Sequence, residues 1–275
     1  MKRISLIVTV LCTIAIAFAA CGDSRFKDYE KTETGLYYKF KERNMEGQQA
    51  QIGDFLYMTV SYYSDNDSIP KFEAREITDM LGESIFVGDI YEAYGMLKEG
   101  EEADFIIKAD SFFYAMGGQI PPFITANDLL FFTIKMNEIK TMDDFKNEEE
   151  EAIQNYIDQN NITVKPTESG LFYMETEAGK GAKVENGKTI SVHYTGKFLD
   201  GQVFDSSVER GEPIAFTVGT DPMIPGFIEG VLLMKQGGKA MFLLPSEIAY
   251  GISHPSAPIP PYTPLLFEVE VVEVK

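Results

Sequence analysis

Residues 192–207 read VHYTGKFLDGQVFDSS, and the fold turns on how that stretch is read. With the residues just before it the run alternates: Ile190, Val192 and Tyr194 fall on one face of a strand, Thr189, Ser191 and His193 on the other. Side chains two apart on a strand share a face, so the apolar set, Tyr194 included, is turned to a core. The chain then passes a glycine-containing turn and returns with Phe204 beside Asp205. A phenol and a carboxylate set among apolar groups describe a greasy cavity with one hydroxyl and one acid at its wall.

Outward from there, KAMFLLP (239–245) and PLLFEVEVV (264–272) also read as strands, the second with Phe267, Val269 and Val271 on one side. The segment GFIEGVLLM (226–234) places Phe227, Val231 and Met234 at helical spacing, with Gly237 and Gly238 expected to close the helix. Strands outnumber helices, and one helix has a sheet face to cover. The expected class is α+β with a mostly antiparallel sheet.

The chain repeats itself. TETGLYYKF (32–40) recurs as TESGLFYME (167–175), and MLKEGEEADFII (96–107) as LMKQGGKAMFLL (233–244). IPPF at 120 and LLFFTIKMNEIK at 129 answer IPPY at 259 and LLFEVEVVEVK at 265. Four matches in one order argue for two copies of one domain, 32–140 and 167–275, too few for a solenoid. Between them, 141–166 carries an acidic run followed by Ile153, Tyr156 and Ile157 at helical spacing. It reads as a solvated linker helix whose early acids suit the positive end of the helix dipole.

Residues 1–20, with Lys2 and Arg3 ahead of an apolar run and Ala19–Ala20 at its end, have the pattern of a secretory signal peptide. The next residue is Cys21, and FAAC resembles a bacterial lipobox, with Phe18 where that family usually has an aliphatic residue. The resemblance implies a lipidated Cys21, a tether over 21–31, and anchoring to an envelope membrane, on the periplasmic side, by lipid alone. Ordinary cleavage after Ala20 and an uncleaved anchor are the other readings of the same residues. Cys12 leaves with the signal, so neither a disulfide nor a thiolate metal site is expected. The formal net charge is -19 before Lys2 and Arg3 are lost, a surface that repels nucleic acid.

VHYTGKFLDGQVFDSS, PGFIEGVLLMKQGGKA, PSEIAYG and IPPYTPLLFEVEV, taken in order, resemble the successive signatures of FKBP-type peptidyl-prolyl cis-trans isomerases, from about residue 167 to 275. The resemblance implies two FKBP-like domains, each a curved sheet wrapped around one short helix, and a substrate proline ring entering between sheet and helix. It implies catalytic positions at Tyr194, Phe204, Asp205, Tyr250 and Phe267, with Arg210 paired to Asp205. Substrate-binding positions fall at Ile214, Phe216, Met223, Ile224, Phe227 and Ile259. Phe227 stands where the best-known members carry tryptophan, and GISHPSAPIPP departs from the family pattern around His254 and Pro258.

The chemistry has its own physical logic. Amide resonance sets a barrier of roughly 18–20 kcal/mol, so an X–Pro bond turns over in tens to hundreds of seconds unaided. The planar amide is the more polar state, and an apolar pocket stabilises it less well than water does. A thousandfold acceleration asks for about 4 kcal/mol of differential transition-state binding, with no nucleophile, metal or cofactor. His193 is turned away from Tyr194 by strand parity and reads as structural. Phe204, Phe227 and Phe267 read by themselves as core.

In the first copy Val60, Tyr62, MLKEG, Tyr114, the proline pair at 121 and Phe131 keep the frame, but nothing answers GQVFDSS. That copy is expected to be degenerate, serving to hold clients, to dimerise, or to space the second copy from the membrane. The expected partners are proline-containing unfolded or nascent exported polypeptides, which the chain would help to fold. A non-catalytic chaperone using the same cleft and a purely structural lipoprotein are the competing readings.

Overall fold

The computed structural model describes residues 24–117, 119–252 and 258–275. The expected signal segment, Cys21 and His254 lie outside them. The described residues form two six-stranded sheets. The first is built from β1 (Glu30–Lys31), β2 (Tyr37–Glu42), β3 (Phe55–Ser64), β4 (Phe72–Met80), β5 (Glu102–Lys108) and β6 (Leu129–Lys140). The second holds β7 (Phe172–Glu177), β8 (Thr189–Phe198), β9 (Val203–Ser206), β10 (Ile214–Thr217), β11 (Lys239–Leu244) and β12 (Leu265–Val274). The helices are α1 (Ile90–Met96), α2 (Ala109–Gly117), α3 (Met142–Gln159), α4 (Ser207–Arg210) and α5 (Pro225–Leu232).

Every named strand pair is antiparallel. The first sheet runs β1-β2-β5-β6-β3-β4 and the second β10-β8-β12-β11-β7, with β9 paired to β8 off that path. Read from the opposite edge, the second order is β7-β11-β12-β8-β10, which is β2-β5-β6-β3-β4 with each strand replaced by its counterpart. The repeat seen in the sequence is thus a repeat of topology, and the class is α+β as expected.

In the second sheet Ile190 and Val192 of β8 are buried while Thr189 is exposed, the alternation read from the sequence. Helix α5 packs on this sheet with Phe227 and Val231 buried in its core. Its Gly230 sits against β11 so closely that a Cβ there would lie 2.4 Å from the Phe242 ring. The helix ends earlier than expected, because Leu233 and Met234 bond back to Gly230 and Val231 in a tightened last turn. Met234 is still buried, and Gly237, at φ +78°, makes the turn into β11 instead of capping the helix.

The first sheet differs from expectation in two respects. It carries α2 as a second helix, where the second half has only a 3-10 turn at Ser246–Ile248. Its counterpart of Phe267 is Phe132, not Phe131. Tyr62 pairs with Phe132 as Gly196 pairs with Phe267, so Phe132 faces the core and Phe131 stacks on Tyr63 from the other side. The bulge in β6 between Met136 and Glu138 recurs in β12 between Val271 and Glu273, so the pairing keeps step between the halves. The sequence match, made at the first residues, slips because LLFFTIKMNEIK is one residue longer than LLFEVEVVEVK.

The linker helix is not the solvated strut expected. Thr141 and Asp144 form a capping box at the start of α3, which satisfies two orphan amides. Phe145 is buried between Phe55 of β3, in an edge-on contact at 4.7 Å, and Tyr262 near the end of the chain, stacked at 5.7 Å. The later Ile153, Tyr156 and Ile157 are only partly covered. What docks this helix is its first turns.

Candidate active site

The stretch 192–207 folds back on itself as β8, a turn and β9. Gly201, at φ +91°, allows that turn, which Phe198 and Gln202 close with a 2.9 Å hydrogen bond. On return, Ser206 caps α4 through the Glu209 amide, and Ser207, fully buried, accepts a hydrogen bond from the Tyr194 amide at 2.8 Å. The two serines tie the returning segment to β8, and so fix Phe204 and Asp205 between them and the turn. Ser207 also meets His193 Nδ1 at 3.1 Å, which gives that histidine a structural partner away from the cavity.

Gly196 makes the room that Phe204 occupies. A Cβ at that position would lie 2.5 Å from the tip of the Phe204 ring and 3.0 Å from Phe267. The ring stands edge-on to Phe267 at 5.7 Å, and Phe267 is edge-on to Phe227 at 5.5 Å. Phe227 in turn meets Tyr194 at 5.9 Å. These rings floor and wall a cavity of about 450 Å³, lined further by Ile214, Met223, Ile224 and Tyr250 with Asp205 at its edge. Pro222 and Pro225, which the sequence reading passed over, line it as well. They flank Met223 and Ile224, and Pro225 opens α5 at a position where proline is preorganised for a helix.

Three of the residues singled out in the sequence lie behind or beside this cavity and do not line it. Phe216 is buried in the core, 6.1 Å from Phe227 and supporting it from behind. Ile259 packs on the same core cluster. Arg210 holds the rim: its Nη1 donates to Asp205 Oδ1 and its Nη2 donates to the Tyr194 hydroxyl at 3.0 Å, while that hydroxyl donates to Asp205 Oδ2.

Both oxygens of Asp205 are therefore engaged. Burial works against its charge, but the hydrogen bonds from Tyr194 and Arg210 outweigh it and hold the carboxyl below the usual range. Burial, then the hydrogen bond to Asp205, pushes the Tyr194 phenol up. Burial, then the field of Asp205, does the same for Tyr250. A carboxylate and two phenols held in these states at neutral pH are poor proton carriers. The arrangement suits binding and orientation, with Tyr250, half exposed at the mouth, as the hydroxyl that faces an entering ligand.

The first sheet shows the same place filled. Tyr62 stands where β8 has Gly196, stacked on Phe72 at 5.5 Å and packed by Phe112 of α2 and by Phe132. Val60 takes the place of Tyr194. What remains is a shallow hollow of about 250 Å³ lined by Ile85, Phe86, Asp110, Ser111, Tyr114 and Ile120.

A family model described as FKBP-type peptidyl-prolyl cis-trans isomerase matches residues 180–272. The chain is 49% identical over 111 residues to a "Probable FKBP-type peptidyl-prolyl cis-trans isomerase" of Haemophilus influenzae, covering 40% of this chain and 45% of that one. It is 48% identical over 111 residues to the "FKBP-type 22 kDa peptidyl-prolyl cis-trans isomerase" of Escherichia coli, covering 40% and 53%. To the "FK506-binding protein" of Neisseria meningitidis it is 42% identical over 105 residues, covering 38% of this chain and 96% of that protein. The chain thus spans about half the length of the first two relatives and nearly all of the third.

Proposed function

This chain belongs to the FKBP-type peptidyl-prolyl cis-trans isomerase family, and from that premise we propose that its second sheet and α5 form a working isomerase for X–Pro bonds. The observation that carries the proposal is the aromatic cleft of about 450 Å³ floored by Phe227, with the Tyr194–Asp205–Arg210 hydrogen-bonded set closing its rim. A proline ring enters over Phe227, between Phe204 and Phe267 on one side and Ile224 on the other. Water is excluded from the imide, and the planar, more dipolar ground state loses solvation that the twisted state needs less. The Tyr250 hydroxyl donates to the substrate carbonyl next to the rotating bond. Asp205, with both oxygens taken, keeps the Phe204 wall in place and transfers no proton.

The substrates are proline-containing segments of unfolded or nascent exported proteins, and the chain acts at an envelope membrane, on the periplasmic side, through a lipid on Cys21. The sequence pattern around Cys21 supports that location. The first half retains the topology with its cleft plugged by Tyr62, and serves as a non-catalytic partner of the second, for holding clients or for pairing with another copy.

A protease-coupled isomerisation assay on the chain without its first 20 residues tests the activity. Acceleration that falls in Phe204→Ala and Asp205→Ala, and by about tenfold in Tyr250→Phe, is the expected result. No acceleration with any residue before proline would leave a peptide-holding role in its place. Incorporation of labelled palmitate, lost in Cys21→Ala, tests the anchor.

A further inference from the structure

Residues 245–252, which follow β11, form one lip of the cleft through Tyr250. They are fixed from outside the second sheet. The backbone N–H of Ser246 donates to Glu149 Oε1, and its hydroxyl donates to Glu149 Oε2 at 2.8 Å. Ser246 then passes the restraint on, since its carbonyl accepts from the amides of Ala249 at 2.9 Å and Gly251 at 2.8 Å. Those two amides flank Tyr250. At the other end Tyr262, at φ +51°, donates its amide to the Gly251 carbonyl at 3.1 Å and stacks its ring on Phe145.

Both outside groups belong to α3. Among the acids of that helix Glu149 alone is buried, and both its oxygens are spent on Ser246. Burying a carboxylate is costly unless its lone pairs are met, so a solvated linker would have no use for one here. Phe145 also reaches the first sheet at Phe55, so the lip, the helix and the first half are in continuous contact.

We propose that Glu149, backed by Phe145, is a positioning residue for the cleft: it sets the Ser246 turn from which Tyr250 is aimed, and so makes α3 a part of the active site. This rests on the isomerase reading above. It predicts that truncating Glu149 acts on catalysis through Tyr250 and not through general loss of stability. Glutamine can hold both groups, because its carbonyl accepts from the Ser246 amide and its amide donates to the Ser246 hydroxyl.

The test uses the full chain lacking only residues 1–20. The value of kcat/KM on a prolyl tetrapeptide is measured for the wild type, Glu149→Ala, Glu149→Gln, Tyr250→Phe and the Glu149→Ala/Tyr250→Phe double variant. Amide hydrogen exchange is followed over 246–252 in the same proteins, with Glu150→Ala, at an exposed neighbour, as control. Expected are a loss of about fivefold in Glu149→Ala, recovery to within about twofold in Glu149→Gln, and no further loss when Glu149→Ala is added to Tyr250→Phe. Exchange over 246–252 should rise in Glu149→Ala while β8 and β12 keep their protection. Losses that multiply in the double variant, or wild-type rates together with wild-type exchange in Glu149→Ala, overturn the proposal. If the wild type shows no acceleration, the isomerase reading fails by itself; exchange then decides the positioning role, with an unchanged 246–252 segment sinking it.

Discussion

At the scale of the residue, the cleft depends on a missing side chain. Gly196 lets the tip of the Phe204 ring come up against β8, and even a methyl group would overlap it. Gly196→Ala is expected to push Phe204 into the cavity, to cost about 1–3 kcal/mol by overpacking, and to lower kcat/KM more than Phe216→Leu does. Urea unfolding beside the isomerisation assay checks both. Phe216 supports Phe227 from behind, so its shortening should reach catalysis only indirectly. The residues of the quoted stretch were legible in the sequence because a strand has a two-residue period and declares its faces. Pro222 and Pro225 were not, because proline there reads first as a helix start and only in space as a cavity wall. The Phe131 and Phe132 exchange shows the limit of matching by spacing: LLFFTIKMNEIK is one residue longer than LLFEVEVVEVK, and aligning the two at their first residue sets the wrong one of two adjacent aromatics against Phe267.

At the scale of the element, α3 was the least legible part. Its cap and its dipole-complementing acids are local and could be read from residues 141–144. Its docking surface could not, since the partners of Phe145 and Glu149 lie about a hundred residues away in the chain, and one buried glutamate looks like its solvated neighbours. Desolvation raises the Glu149 carboxyl above its ordinary value, partly offset by the Ser246 bonds, with Glu247 and Glu150 adding repulsion. The folded state therefore binds this proton more tightly than the unfolded chain does. The contribution of Glu149 to stability is then largest below the usual carboxyl range and declines as pH rises through the elevated folded value. Glu149→Gln, fixed neutral, should melt like the wild type near pH 4 and at a higher temperature at pH 7. A melting series across that interval checks the sign.

At the scale of the whole molecule, the Phe55–Phe145–Tyr262 contact joins two sheets that have separate cores. Removing the middle ring should uncouple them. Phe145→Ala is expected to cost about 3 kcal/mol and to split one thermal transition into two, resolved by calorimetry. The tandem organisation was plain from the repeated motifs, because equal motifs in equal order leave few other arrangements. That one half has its cleft plugged was partly plain, from the lack of any answer to GQVFDSS. The manner of the plugging needed the pairing of β3 with β6, which alone equates Tyr62 with Gly196.

That equation has an evolutionary side. Once a gene carries two copies of a cleft, one can be lost without loss of the chemistry, and bulk at a single strand position suffices to lose it. A copy whose cleft is filled is then free to be selected for what its outer surfaces touch, and here Phe145 of α3 links Phe55 of the first sheet to Tyr262 of the second half. The same position also gives a handle in the laboratory. Tyr62→Gly with Phe112→Ala would reopen a hollow in the first half, a starting point from which directed selection could recruit a second ligand onto a scaffold that already folds.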